Sequence, residues 1–253
     1  MKNHFYIAYC GNKREEVKII YDNIDLTNIE NVIEPYCGSA SMSYYLWTKN
    51  PNLKFVLNDN NKFLKEIFEI IKDDNKCLEF ENTINTMRLK VIELGKEEYV
   101  KYSKNKKDIH NWLFIHRYYK ISPGLYPADR SRLNNIFKFS NYPIYNFYRT
   151  ANIEFYDIDA IEIYEKYKSK KHNLILIDPP YILTCNDFYT NHNMNIYEYF
   201  DKNNINKEKA KIKIILEKNW IINLLFKKNK CFDYEKIYNG LRKKKVIHTI
   251  IYN

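Results

Sequence analysis

The sequence predicts an α/β fold built on a parallel sheet, and three observations carry that expectation. Short apolar runs rich in β-branched residues, at Val32-Ile33, Phe55-Val56-Leu57, Ile153-Glu154-Phe155-Tyr156 and Leu174-Ile175-Leu176-Ile177, read as buried strands. Stretches of helical spacing stand between them, as with Phe63, Ile67, Ile70 and Ile71. The strands end in small, polar or proline-rich turns. Strands alternating with helices require crossover connections, which make parallel neighbours.

Taken in order, Val32-Ile33-Glu34-Pro35-Tyr36 is a strand running into the small-residue turn Cys37-Gly38-Ser39-Ala40-Ser41, and a helix follows at Met42-Ser43-Tyr44-Tyr45-Leu46-Trp47. The second strand stops at Asn58-Asp59-Asn60-Asn61. Residues 79–122 have a helical pattern, and residues 123–150 are irregular, basic and aromatic. The α/β pattern resumes at residue 153, with a helix over residues 159–167 and the strand that ends at Asp178. Beyond a polar loop, the spacing predicts a helix near residues 207–218, a strand over 220–226 and a last strand near 246–252. The middle of the chain thus reads as an insertion, giving a sheet domain of residues 1–75 and 151–253 and an inserted region of residues 76–150.

Composition narrows the class of protein. Five Gly and seven Pro exclude collagen-like and flexible low-complexity chains. The sequence offers no run of ~18 apolar residues that would span a membrane, and residues 1–5 have no signal-peptide pattern. Five widely spaced cysteines without a C-x-x-C pair suit free thiols in a cytoplasmic protein, and the six histidines form no metal-ligand motif. A net charge of +10 favours a polyanionic partner. The 24 tyrosines fit an AT-rich coding genome better than a stacking surface spread over the whole chain.

Two strand ends carry chemistry. Small residues after the first strand let a ligand approach the backbone, and Asp59 stands at the tip of the next strand, where a carboxylate can take both hydroxyls of a ribose. An ordinary tight turn with a solvated Asp fits these residues equally well. Asp178-Pro179-Pro180-Tyr181 is more specific. The prolines end the strand and stiffen the exit. A carboxylate, a carbonyl-bearing turn and an aromatic ring are then held where α/β sheets bind ligands. A flat ring can lie on Tyr181 while its amino group donates to Asp178 and a proline carbonyl.

These motifs, in this order, resemble the Dam-type (D12 class) adenine-N6 DNA methyltransferases. Tyr9-Cys10-Gly11-Asn12-Lys13 resembles the family's W-x-G-G-K, and residues 34–41 its D-P-F-x-G-x-G-S. Leu57-Asn58-Asp59-Asn60-Asn61 resembles N-D-x-N, Ser122-Pro123-Gly124-Leu125-Tyr126 the N-G-L-Y/F-R stretch, and residues 153–157 F-x-x-x-D. The resemblance implies a Rossmann-like class I methyltransferase sheet with an inserted, mainly helical target-recognition region. It implies S-adenosyl-L-methionine held by Tyr9, Lys13, Glu34, Pro35, Tyr36, Gly38, Ser39, Asp59, Asp157 and Asp178. Asp178, Pro179, Pro180 and Tyr181 would act on a flipped adenine in double-stranded DNA. Arg117, Tyr126, Arg130, Arg132 and Arg149 would contact the DNA. No metal or membrane is expected, and a monomer is favoured. Cytoplasmic bacterial, phage or large-DNA-virus origins all suit the chain. N4-cytosine or RNA methylation, or a non-catalytic DNA-binding relative, are the rival readings. The chain departs from the family pattern in Glu34, in residues 116–125, and in Ala40, which stands where the family has a second glycine. If position 40 needs a positive φ, its β-carbon costs about 1 kcal/mol.

Overall fold

The computed structural model describes residues 4–7, 13–105, 107–118, 130–181, 195–239 and 243–253. Tyr9, Tyr126 and most of the motifs around them lie outside the described residues. The chain divides into two compact units.

One unit comprises Lys13–Lys65 and Ala151–Asn253. It holds a seven-stranded sheet of β1 (Asn31–Glu34), β2 (Lys54–Asn58), β3 (Asn152–Tyr156), β4 (Asn173–Ile177), β5 (Lys211–Glu217), β6 (Lys230–Asn239) and β7 (Lys243–Tyr252). Their order across the sheet is β3-β2-β1-β4-β5-β7-β6. The first five are parallel, and β7 enters antiparallel between β5 and β6. The result is a Rossmann-like mixed α/β sheet. Helices α1 (Val17–Asp22), α2 (Ser41–Lys49), α8 (Ala160–Tyr167), α9 (Asn195–Lys202) and α10 (Trp220–Leu225) belong to this unit. The five residues of β4, Asn-Leu-Ile-Leu-Ile, are all buried, as an interior parallel strand covered on both faces must be. Ile33, Ile175, Ile177, Ile212, Ile214 and Ile251 form one core with Ile163, Tyr164, Phe200 and Phe226.

The strands expected at 32–36, 55–57, 153–156 and 174–177 are present, the first ending at Glu34, as are the helices after β1, β2 and β3. Two expectations are corrected. Residues 207–218 contain a strand: Ile212, Ile214, Ile215 and Leu216 are buried while Lys211 and Lys213 are less so, an alternation over its first half that the dense lysines around it mask. Residues 220–226 form a helix instead of a strand. The Asn219 side chain accepts from Ile222 N and caps it, and Ile222 and Phe226, four apart, turn inward.

The other unit has its described residues within 4–7 and Glu66–Thr150, with helix α3 (Lys62–Lys72) shared in sequence between the two. It is mainly helical, with α4 (Asp74–Leu94), α5 (Lys96–Lys104), α6 (Ile109–Tyr118), two 3₁₀ turns (Arg130–Asn134 and Phe139–Asn141) and α7 (Ile144–Thr150). Asp73 caps α4 by accepting from Asn75 N and Lys76 N. The irregular stretch is tied onto α4 by backbone-directed side chains. Asn85 bonds both N and O of Phe137, and Arg88 donates to Leu133 O at 2.7 Å. Phe80, Phe137 and Phe139 pack together beneath it.

Candidate active site

The strand order reverses at β1, which lies between β2 on one side and β4 on the other. Crevices at such a switch point, beyond the carboxyl ends of the strands, bind ligands in open α/β sheets. Of the predicted residues, Glu34 ends β1, and Pro35, Tyr36, Gly38, Ser39, Asp59, Asp157 and Asp178 follow the carboxyl ends of β1, β2, β3 and β4.

The loop after β1 is a built cradle. Gly38 has φ 48° and donates its N–H to Asp59 Oδ2 at 2.9 Å, while Asn61 N donates to Oδ1 at 3.0 Å. Burial pushes the Asp59 carboxyl up to about 6 against these two donors. The Asn58 side chain bonds Pro35 O and both backbone groups of Ile158, fastening the ends of β1, β2 and β3 together. Ser39 and Ser41 share a hydroxyl contact of 2.7 Å. Tyr36, partly buried, packs against the main core, and its phenol is raised by burial. Asp157 is exposed and paired with Lys65 at 2.7 Å.

Ala40 has the left-handed conformation, φ 48° and ψ 33°, at the N-terminus of α2, so the expected cost of its β-carbon applies. Ala40→Gly should therefore raise the melting temperature by roughly 2–4 °C, corresponding to about 1 kcal/mol. A lower Tm would mean that the buried methyl outweighs the backbone strain.

Asp178 sits one residue past β4 and pairs with the buried Lys13 ammonium, Nζ to Oδ2 2.5 Å. Burial raises its carboxyl, and the Lys13 charge offsets part of that. Lys13 also lies 5.2 Å from the centre of the Tyr181 ring. Tyr197 of α9 donates to Pro180 O at 2.9 Å and fastens the proline turn. Beside them Glu34 is almost fully buried, and its Oε1 accepts from Ser43 N at 2.6 Å. Burial drives its carboxyl to about 8, against the Ser43 hydrogen bonds.

Sequence reasoning missed a second buried cluster here. Glu16, His248, Tyr234 and Lys236 gather against Lys13 and Tyr181. The available signals were a carboxylate three residues after Lys13 and a lone histidine inside the apolar run Val246-Ile247-His248-Thr249-Ile250-Ile251.

In the helical unit, Arg117 on α6 stacks its guanidinium on Tyr118 and Tyr142, at 5.6 and 5.5 Å from the ring centres. Arg149 pairs with Asp74 at 2.8 Å and donates to Ile71 O. Arg130 and Arg132 lie in the first 3₁₀ turn. Among the described residues no cluster of three or more His, Cys, Asp or Glu is arranged to hold a metal, and no helix is long and apolar enough to cross a membrane.

A solved precorrin-6y C5,15-methyltransferase from Geobacter metallireducens GS-15 is similar at a TM-score of 0.39 and 10% identity, over 98% of this chain and 92% of that one. Among curated proteins no sequence matches the chain. The sequence profile of the D12 class N6 adenine-specific DNA methyltransferases matches residues 9–240, nearly the whole of both units. With that profile running from the segment before Lys13 through Asp178–Tyr181 to the β6–β7 turn, the chain belongs to the D12 class N6 adenine-specific DNA methyltransferase family.

Proposed function

We propose that the protein methylates adenine N6 in DNA, with S-adenosyl-L-methionine as methyl donor. The observation that carries this reading is Asp178: a carboxylate at the end of β4, beside the switch point, held by a buried ammonium and followed by a fastened proline turn and an aromatic ring.

The donor set suits a nucleoside cofactor. Each Asp59 oxygen takes one backbone N–H, which leaves each a further lone pair for one hydroxyl of a vicinal diol. Gly38, Ser39 and Tyr36 border it, and Lys13 and Asp157 complete the cofactor side in this reading, with Tyr9 carried over from the family motif alone. When bound, S-adenosyl-L-methionine supplies an electrophilic methyl group. The chain's own residues prepare the acceptor. An adenine amino nitrogen is a poor nucleophile because its lone pair is delocalised into the ring. Asp178 and the Pro179 carbonyl each accept one N6–H, which draws the nitrogen toward tetrahedral geometry and frees the lone pair. Asp178 then faces the positive charge that develops on N6, a preorganised electrostatic stabilisation. Tyr181 stacks on the base, which must leave the duplex to reach it.

We assign residues 1–75 and 151–253 to catalysis and residues 76–150 to DNA recognition. Arg117, Tyr126, Arg130, Arg132 and Arg149 are the proposed contacts there. Arg149 would contribute only from its tie to Asp74. Phosphate contacts release counterions, so the transfer rate should fall roughly tenfold or more between about 50 and 200 mM salt; a flat response would count against a DNA substrate. The deciding experiment sequences modified bases in DNA from cells that express the protein. N6-methyladenine in a fixed context is expected. N4-methylcytosine, or no modified base with the cofactor still bound, would overturn the reading in favour of a cytosine enzyme or an inactive relative.

A further inference from the structure

The Glu16 cluster has no part in the chemistry above, yet it is built as tightly as the site it adjoins. Glu16 stands at the start of α1 and is 3% exposed. A carboxylate at that depth is tolerated only with donors on it. Tyr234 OH donates to Oε1 at 2.8 Å, His248 Nδ1 lies 2.8 Å from the same oxygen, and Lys236 Nζ holds Oε2. Burial would raise this carboxyl. His248, Lys13 and Lys236 together reverse that and hold it at about 2, so Glu16 stays ionised.

What this arrangement fixes is a ring. His248 is fully buried on β7, with its imidazole perpendicular to Tyr181, centroids 5.4 Å apart. It also meets Tyr234 edge-on at 5.6 Å. The Glu16 carboxylate stands at ion-pair distance from Nδ1, so it constrains where the imidazole can sit. Tyr181 follows two prolines and lies in no helix or strand. Backbone hydrogen bonding of regular structure therefore does not set its side chain. Its neighbours do, among them the perpendicular His248 imidazole, the Lys13 ammonium and the apolar core it packs against.

We infer that Glu16 and His248 are positioning residues for Tyr181: the carboxylate orients the imidazole, and the imidazole edge holds the ring on which the target base is received. This rests on the methyltransferase reading, and it adds two residues from opposite ends of the chain that the sequence motifs do not contain.

The test uses the full-length protein with 3-fluorotyrosine placed at position 181, in four forms: wild type, Glu16→Gln, His248→Phe and the double variant. Each is read by ¹⁹F NMR without cofactor or DNA, by thermal melting, and by tritium transfer from S-adenosyl-L-methionine to unmethylated plasmid DNA. In Glu16→Gln the fluorine resonance should move or broaden and kcat should fall about tenfold, with KM for the cofactor within about twofold of wild type. His248→Phe keeps a ring edge that needs no carboxylate, so kcat should stay within about threefold. Adding Glu16→Gln to it should then change nothing further. If Glu16→Gln lowers only the melting temperature, leaving resonance and kcat unmoved, the cluster is structural and the inference fails. An equal further loss in the double variant would also overturn it. A wild type that transfers no label to DNA would instead refute the methyltransferase reading, while the ¹⁹F response to Glu16→Gln would still report whether the carboxylate orients position 181.

Discussion

Asp178→Asn should lower methyl transfer to DNA by about 10³-fold with the protein still folded. The amide keeps the shape of the carboxylate, and its oxygen still accepts from Lys13, so the buried ammonium is not stranded. In the proposed mechanism, what disappears is negative charge facing N6, together with one of two acceptors for its hydrogens. An Asn can also turn its own amide hydrogens toward the base, which opposes the reshaping of the amino group. Because the interaction strengthens as charge develops, the loss falls on kcat and hardly on KM for the cofactor. Steady-state tritium transfer, with a thermal melt beside it, checks both halves. A rate within tenfold of wild type would remove Asp178 from the chemistry.

Glu34→Gln should stabilise the protein at alkaline pH by on the order of 3 kcal/mol, and hardly at all near pH 4.5. In the fold the carboxyl keeps its proton to about pH 8, chiefly because it is buried, whereas a solvated glutamate loses it near 4.5. The folded state therefore binds the extra proton, and stability falls as pH rises from about 4.5 to about 8, levelling off above. A glutamine imitates the protonated form and still accepts from Ser43 N, so it escapes that loss. Melting curves of both proteins at about pH 4.5 and about pH 8.5 should diverge by several degrees only at the higher pH. A gap that does not change with pH would show that Glu34 holds no proton in the fold.

How much could be read beforehand differed by feature. The buried parallel strands were plain, because a strand covered on both faces has nothing but apolar residues to show. Asp178–Tyr181 was plain too, since prolines that end a strand beside an Asp and a Tyr have few bland explanations. The exchange of helix for strand at residues 207–226 has a local cause. Trp220-Ile221-Ile222-Asn223-Leu224-Leu225 is composed like a strand, but Asn219 caps it and its inward residues are four apart. Lys211–Glu217 looks like a solvated helix until its isoleucines are counted in twos. The Glu16 cluster left only two faint signs, Glu16 close after Lys13 and a lone His248 in an apolar run. Its members are single polar residues in unrelated stretches, and only the sheet order brings them together.

That order has a consequence for how the protein comes into being. β7 is the last strand in the chain, yet it takes an interior place between β5 and β6. The partners of Glu16 lie 218 and 220 residues downstream on β6, and His248 follows on β7 itself. Until the closing strand docks, β5 offers an open edge, and a carboxylate near the start of the chain has no compensating donors. Contacts so distant in sequence form late. The loops after β1 and β2 need only parallel pairing, whereas the His248 contact of the ring at position 181 comes with β7.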